Sequence, residues 1–567
     1  MCGIFGVISG QKIGNEVDII RSGFFNKSRG PERTVTICLE DAVLMFHRLA
    51  INNLSHACDQ PFIYVDGSQT HYVLCNGEIY NYKNLISKYC LEGIIETDCE
   101  VIFPLWKHFN YNFKHLNNAL LGEYSFVIIT IDTRLGLSPE DQKIETIRMA
   151  TDSSSVRPLF YVVDEEQNVI GFSSLLKGLT SLDFINKNKI KRIHSGEMIE
   201  IHMDNRKIGR HTQMIYSPDL NLRALTYPLE NTESLRRMIV ETLESCVLTR
   251  LQSDREVGCL LSGGLDSSLV AAIAANELKK YNVKLRTFSI GMKGGTDLEY
   301  ARKVADHIES LHTEVIFTAE EGLSVLEEVI RTCETYDITT IRASVGQYLL
   351  GRWISENTDI KVVLNGDGAD EAQMGYIYYY NAPNAIEAHK DSMRLIDNIY
   401  LYDGLRVDRN ISRWGLEARV PYLDKRFVEL YKVIHPNVKR PMKGERMEKS
   451  LIRESFMENR EGILPEEVMM RVKETMSDGV SSKEKSWYLI IQEYIEKTKE
   501  IDMEKVYSYL EPISKESRWY RQIFEKEFGS EAVRVIPYYW MSGWSNSNDP
   551  AARSLNIYNQ INKDKNN

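Results

Sequence analysis

The sequence predicts two folds in series: an α+β half dominated by antiparallel sheet up to about residue 210, then an α/β half with a parallel sheet and a mostly helical end. Three observations predict this. Short β-branched and aromatic runs broken by Gly, Asn and Asp fill the first part. From Glu233 short, fully apolar runs alternate with long amphipathic stretches. A polar, turn-rich stretch near Asp204–Pro228 separates the two textures.

In chain order, the first strand candidates are "VTICLEDAVLMFH", "THYVLCNGEIYNY", "EYSFVIITID", "RPLFYVVD", "NVIGFSS" and "GEMIEIHM". Val17–Asn26 and Cys99–Phe109 carry apolar residues at helical spacing instead. In the second half "EVGCLL", "LRTFSIG", "HTEVIFT" and "IKVVLNG" read as strands, too apolar for a face open to water. Between them "SSLVAAIAANELKKY" and "DLEYARKVADHI" repeat apolar positions three and four apart, as helices do. Beyond Pro383 the pattern is helical, and the polar end "NKDKNN" is expected to fray.

A chain of 567 residues is too long for one core, and two to four domains are expected. With 69 basic residues scattered among 80 acidic ones and a net charge of −11, there is no basic stripe for nucleic acid or an anionic membrane. The nine cysteines, at 2, 38, 58, 75, 90, 99, 246, 259 and 333, form no C-x-x-C pair and no zinc-spaced cluster. That usage predicts a reducing, cytoplasmic setting. No stretch reaches the ~20 apolar residues of a membrane helix.

The string "CLLSGGLDSSLVAAIA" ends a strand at Leu261, turns at Ser262-Gly263-Gly264 and opens a helix near Ser267. Backbone N–H groups at a helix start, with glycines that allow close approach, make an anion site. No Gly-Lys-Ser/Thr follows, so this is not a Walker A loop, and "GERMEKS" lacks the second glycine of one. The string resembles the pyrophosphate loop of N-type ATP pyrophosphatases.

Further strings narrow the resemblance. "ETYDITTIRAS", "GDGADE", "GLEARVPYLD" and "KETMSDGV" are similar, in order, to those of glutamine-hydrolysing asparagine synthetases. So are "CGIFGV", "SRGPE", "HRLAI", "CNGEIYN" and "TDCEVI" in the first half, so the resemblance covers nearly the whole chain. It implies an N-terminal-nucleophile hydrolase domain of antiparallel sheets layered with helices at 2–210 and a linker at 211–232. An ATP-pyrophosphatase synthetase domain at 233–550 and a tail at 551–567 follow.

The resemblance also implies roles. Removal of Met1 makes Cys2 the nucleophile, its own α-amine taking the thiol proton. The Asn76 side chain and Gly77 N–H form the oxyanion hole. Arg48, Leu49, Ala50, Ile51, Asn52, Glu78 and Asp98 hold glutamine, Arg48 at its α-carboxylate and Glu78 and Asp98 at its α-ammonium. Leu260, Ile290, Asn365 and Gly366 contact adenosine. Ser262, Gly263, Gly264, Asp266, Ser267 and Ser268 hold phosphate, and Arg342 and Lys473 neutralise pyrophosphate. Asp266 and Asp370 are the implied Mg²⁺ ligands. Glutamine, aspartate and ATP are the implied substrates, and a homodimer the implied assembly.

The chain also departs from the family pattern. Asp367 stands where a glutamate linked to adenylate formation is usual, and Asn365 where serine is usual. "TDSSSVRPLF" lacks the usual Arg and Gly, Leu175 replaces a glutamate, and Ser28 and Glu32 replace His and Asp. The first pair puts the rate of adenylation in question and the others the packing between halves. The alternatives to a glutamine-dependent asparagine synthetase are another amide synthetase on the same frame and a catalytically weakened regulatory homologue.

Overall fold

The structure is a computed structural model that describes residues 1–10, 15–91, 93, 95–134, 142–215, 232–474, 476–481, 485–545, 547–557 and 560. In the first half lie β1 (Gly3–Ser9), β2 (Arg33–Cys38), β3 (Ala42–Arg48), β4 (Phe62–Asp66), β5 (Gln69–Ile79) and β6 (Gly122–Asp132). They are followed by β7 (Lys143–Thr151), β8 (Phe160–Asp164), β9 (Val169–Ser173), β10 (Lys191–Arg192), β11 (Glu197–Asp204) and β12 (Lys207–Ile215). They form two antiparallel sheets, ordered β10-β8-β9-β1-β3-β2 and β12-β11-β7-β6-β5-β4.

The sheets share a core in which Ile4, Leu44 and Phe46 meet Leu74, Val127 and Ile129. The other face of the second sheet is covered too: Val73, Cys75, Phe126 and Ile128 pack with Val101, Leu105, Trp106 and Leu116 of the helices Ile102–His108 and Phe113–Ala119 and their approach. Adjacent residues of β5 and β6 therefore point into different cores. That is why these strands read as continuous apolar runs instead of alternating with polar residues.

The second half holds β13 (Val257–Leu260), β14 (Arg286–Gly291), β15 (Leu311–Ile316), β16 (Val362–Leu364) and β17 (Glu417–Arg419), all parallel, in the order β15-β14-β13-β16-β17. The chain winds outward from β13 to β15 and then returns to the other side of β13 with β16. The crevice beyond the ends of β13 and β16 is thus a topological switch point, where open parallel sheets bind ligands.

The structure corrects the reading of the division between halves. Residues 207–215, read as the start of a polar linker, form β12, whose hydrogen bonds to β11 compensate for its low apolar content. Residues 216–231 of the expected linker, and 558, 559 and 561–567 of the expected tail, lie outside the described residues. Among the described residues no helix is long and apolar enough to cross a membrane.

The halves meet across buried charges. Arg29 grips Asp408 with both terminal nitrogens, at 2.6 and 2.8 Å. Glu123 accepts from Arg157 at 2.8 Å and from Arg250 at 2.6 Å, and Arg250 reaches Asp424 at 2.7 Å. Glu334 accepts the backbone N–H groups of Leu176 and Lys177 at 2.8 and 2.9 Å, capping the helix Leu176–Thr180 from the other half. One sequence departure lies beside such a contact: Ser155, in the usual glycine position, takes a left-handed φ of 47°, and the hydroxyl of its neighbour Ser154 donates to Leu423 O at 3.4 Å.

Asp408→Ala leaves Arg29 fully buried without this partner carboxylate, and should cost about 3–5 kcal/mol. Chemical denaturation followed by probes in each half should show the two transitions moving apart. An unchanged midpoint would mean that this pair does not hold the junction.

Candidate functional site

Each half carries one candidate site. In the first, Cys2 immediately precedes β1 and its thiol donates to Leu49 O at 3.7 Å. Burial pushes the thiol up to about 11, opposed by the ammonium group of Met1. Met1 is itself enclosed: its ammonium pairs with Glu417 at 3.1 Å and its sulfur accepts from Arg157 at 3.0 Å.

Asn76 and Gly77 sit near the end of β5. Asn76 is fully buried, yet neither its amide nitrogen nor its amide oxygen has a hydrogen-bond partner. An unpaired buried amide costs about 1–3 kcal/mol, so a native site that retains one is holding it for something else to bind. Gly77 has a φ of +143°, and a Cβ there would lie 2.0 Å from Glu123 O. No other residue fits without moving β6.

Glu78 and Asp98 are both buried, and Asn52 donates to Glu78 and, at 3.5 Å, to Asp98. Burial raises both carboxyls, and for Glu78 the charge of Asp98 raises it further against the lowering effect of Arg419. Two such carboxylates favour a cationic ligand, which would restore their ionised form. Arg48 is held to Asp59 at 2.9 Å and to the carbonyls of Ser55 and Asn53, each at 2.5 Å. Its fork is thus fixed in place, and partly engaged by the protein itself.

The second site lies at the switch point. A cavity there is lined by Leu260, Ser262, Gly264, Asp266, Ser267, Ile290, Asn365, Gly366, Asp367, Asp370 and Lys473. Ser262 and Ser267 share a 3.0 Å hydroxyl bond that ties the loop to the first turn of the helix Leu265–Lys279. Gly263, with φ +70°, has no room for a Cβ, which would meet Ala301 N at 2.3 Å. Gly263 and Ser268 shape the loop without lining the cavity.

A neighbouring cavity shares Asp367, Asp370 and Lys473 and adds Arg342, Glu371, Tyr376, Asp403 and Arg406. Of the expected phosphate-facing residues, Arg342 lines this second cavity and not the first, and its guanidinium is engaged by Glu516 at 2.6 Å and Asp549 at 2.8 Å. Asp367, in the wall between the cavities, accepts from Gln347 at 2.9 Å and Arg406 at 2.7 Å.

Sequence reasoning missed Lys449, whose ammonium pairs with Asp266 and, at 2.6 Å, with Asp370, itself paired with Lys473 at 2.7 Å. These ammonium groups hold the Asp370 carboxyl well below the usual carboxylate range. The only signal in the sequence was "GERMEKS", which carries no phosphate-loop pattern. Arg419 was missed as well: it lies 3.5 Å from Glu78 and 2.8 Å from Glu417, and its own N–H groups reach the carbonyls of Arg250 and Gln252 at 2.8 and 2.6 Å.

Comparison with known proteins agrees with this pairing of sites. Residues 1–216 match the glutamine amidotransferase domain family, and residues 238–394 and 381–534 match the asparagine synthase family. The glutamine-hydrolysing asparagine synthetase of Gallus gallus is 38% identical over 530 residues, 90% of this chain and 91% of the relative. That of Homo sapiens is 37% identical over 537 residues, with the same shares of each chain. A probable one from Acanthamoeba polyphaga mimivirus is 36% identical over 581 residues, 98% of this chain and the full length of the relative. With one half built around a half-buried Cys2 and a buried Asn76, the other around the Ser262 loop, and both matched along their length, the chain belongs to the family of glutamine-hydrolysing asparagine synthetases.

Proposed function

We propose that the chain makes asparagine from aspartate, ATP and glutamine, with Cys2 hydrolysing glutamine in one half and the Ser262 cavity activating aspartate in the other. The observation that carries the first step is the buried, unpartnered amide of Asn76 beside Gly77. With Met1 excised, the α-amine belongs to Cys2; at a pKa of about 7.7–8.0 enough of it is neutral to take the thiol proton. The sulfur attacks the side-chain amide carbon of glutamine, and the negative oxygen is met by the Asn76 amide and the Gly77 N–H. Collapse releases ammonia and leaves a thioester, which water hydrolyses to glutamate and the free thiol. Glu78 and Asp98 face the substrate ammonium, and Arg48 its carboxylate.

In the second site the β-carboxylate of aspartate attacks the α-phosphorus of ATP and pyrophosphate leaves, giving an aspartyl adenylate. Ammonia attacks the acyl carbon, giving asparagine and AMP. Ser262, Gly264 and Ser267 are the proposed phosphate contacts, and Leu260, Ile290, Asn365 and Gly366 those of adenosine. The donor set fits a magnesium ion that keeps phosphate and water oxygens: Asp266 and Asp370 face one cavity, and Asp266 Oδ1 is buried without a hydrogen bond. These two carboxylates would hold Mg²⁺, which would offset charge on the triphosphate, while Lys449 and Lys473 face the same phosphates. A cytoplasmic setting suits the cysteine usage and the substrates.

Cys2→Ala should lower glutamine-dependent asparagine formation by about 10³-fold or more and leave ammonia-dependent formation intact. Mass analysis of active protein should show Cys2 as its first residue; equal loss of both activities, or an active chain that retains Met1, would remove the assignment. Lys449→Ala and Asp367→Asn should each lower pyrophosphate release about 10²-fold. Both should leave glutamine hydrolysis within a factor of about two, since the hydrolase site lies in the other half. ADP in place of AMP among the products would overturn the adenylation chemistry.

A further inference from the structure

The segment that follows β3 is held from the synthetase half as well as from its own. The Ala50 N–H donates to Glu32 Oε2 at 2.7 Å, while Arg255 donates to Ala50 O at 3.0 Å and to Glu32 Oε1 at 2.8 Å. Glutamate, arginine and the Ala50 backbone thus close a ring in which both backbone groups of Ala50 are satisfied. Next to it, the Asp254 N–H donates to Ile51 O at 3.1 Å and the Asp254 carboxylate accepts the Asn53 N–H at 2.7 Å. Underneath, Leu49 and Ile51 pack on Val362 of β16, with Val257 of β13 at the edge. Glu32 stands at one of the family departures described above.

We propose that Arg255 is a positioning residue for glutamine: together with Glu32 it clamps the Arg48–Asn52 segment, so that affinity for glutamine depends on the synthetase half. This rests on the reading of that segment as the glutamine-binding one. Arg255 touches no reacting atom; it acts through the carbonyl and N–H of Ala50, which lie between the Arg48 fork and Asn52. An ion pair whose partners are each about 30% exposed usually contributes little. Here each partner of the pair also bonds a backbone group of the same residue, so loss of either charge opens the ring and loosens its hold on Ala50. β13 begins just after Arg255 and ends just before the Ser262 loop, so the clamp and the phosphate loop are the two ends of one short strand. An open cleft at this junction is lined by Asn52, Asn53, Tyr82, Lys83, Ser253 and Asp254, which places residues of both halves at the approach to Asn52.

The test is steady-state kinetics of the full chain with glutamine or with ammonium as nitrogen source, for wild type, Arg255→Ala, Glu32→Gln and the double variant. Each single variant is expected to raise the KM for glutamine about fivefold, with kcat within about twofold. Synthesis from ammonium should be unchanged, which also shows that the variants fold. The double variant should be no worse than either single one, because all three break the same ring. An unchanged KM in Arg255→Ala, additive effects in the double variant, or an equal loss of synthesis from ammonium overturns the proposal. A wild-type chain that makes asparagine from ammonium but hydrolyses no glutamine overturns the underlying glutaminase reading; that outcome is seen in wild type alone and is distinct from failure of the clamp.

Discussion

The constraint on which the rest of the structure depends is the desolvation of charge at the junction. Arg29, Arg157, Arg250 and Arg419 are all fully buried, and each meets a carboxylate that is buried as well. A guanidinium removed from water is tolerated only where its donors find acceptors in fixed directions. These arginines therefore specify how the halves sit against each other more sharply than apolar packing could. Glu123 illustrates this, since it accepts from Arg157 of its own half, from Arg250, and from the Val420 N–H at 3.0 Å. Sheet and junction are fixed by the same carboxylate.

The same network lies beside both sites. Arg419 approaches Glu78 with its guanidinium, while its main-chain carbonyl accepts the Asn365 N–H at 2.9 Å. The Asn365 side-chain oxygen in turn accepts the Asp367 N–H at 3.0 Å. Glu78 and the wall of the Ser262 cavity are thus joined by a few hydrogen-bonded groups on β17 and after β16. This also gives the Asn365 substitution a structural role: a side-chain carbonyl at that position orients the turn carrying Asp367. Arg406 and Gln347 hold the shorter acid where both cavities meet.

Much of this was legible in the sequence, and the parts that were not share a reason. The sheets of the first half, the parallel strands and the Ser262 loop could be read because their signals are local: strand period, helix period and a turn with its glycines adjoin one another. β12 was lost because it is polar and owes its order to β11. Lys449, Arg419 and Arg255 were lost because their partners lie far along the chain: Asp266 is 183 positions from Lys449, and Glu32 is 223 from Arg255. A lone lysine or arginine in a sequence looks the same whether it is solvated or bridging two carboxylates. The acids that engage Arg342, Glu516 and Asp549, were illegible for the same reason, since they lie 174 and 207 positions further along the chain.

The reach of the Arg29–Asp408 pair has a consequence for how such chains change over time. Its two members are 379 positions apart, on opposite sides of the stretch between β12 and the helix Thr232–Thr249. A crossover between two relatives in that stretch would join one parent's arginines to the other parent's carboxylates. Hybrids whose parents differ at any of these buried positions would inherit an unmatched charge, so the two halves are under pressure to descend together as one heritable block.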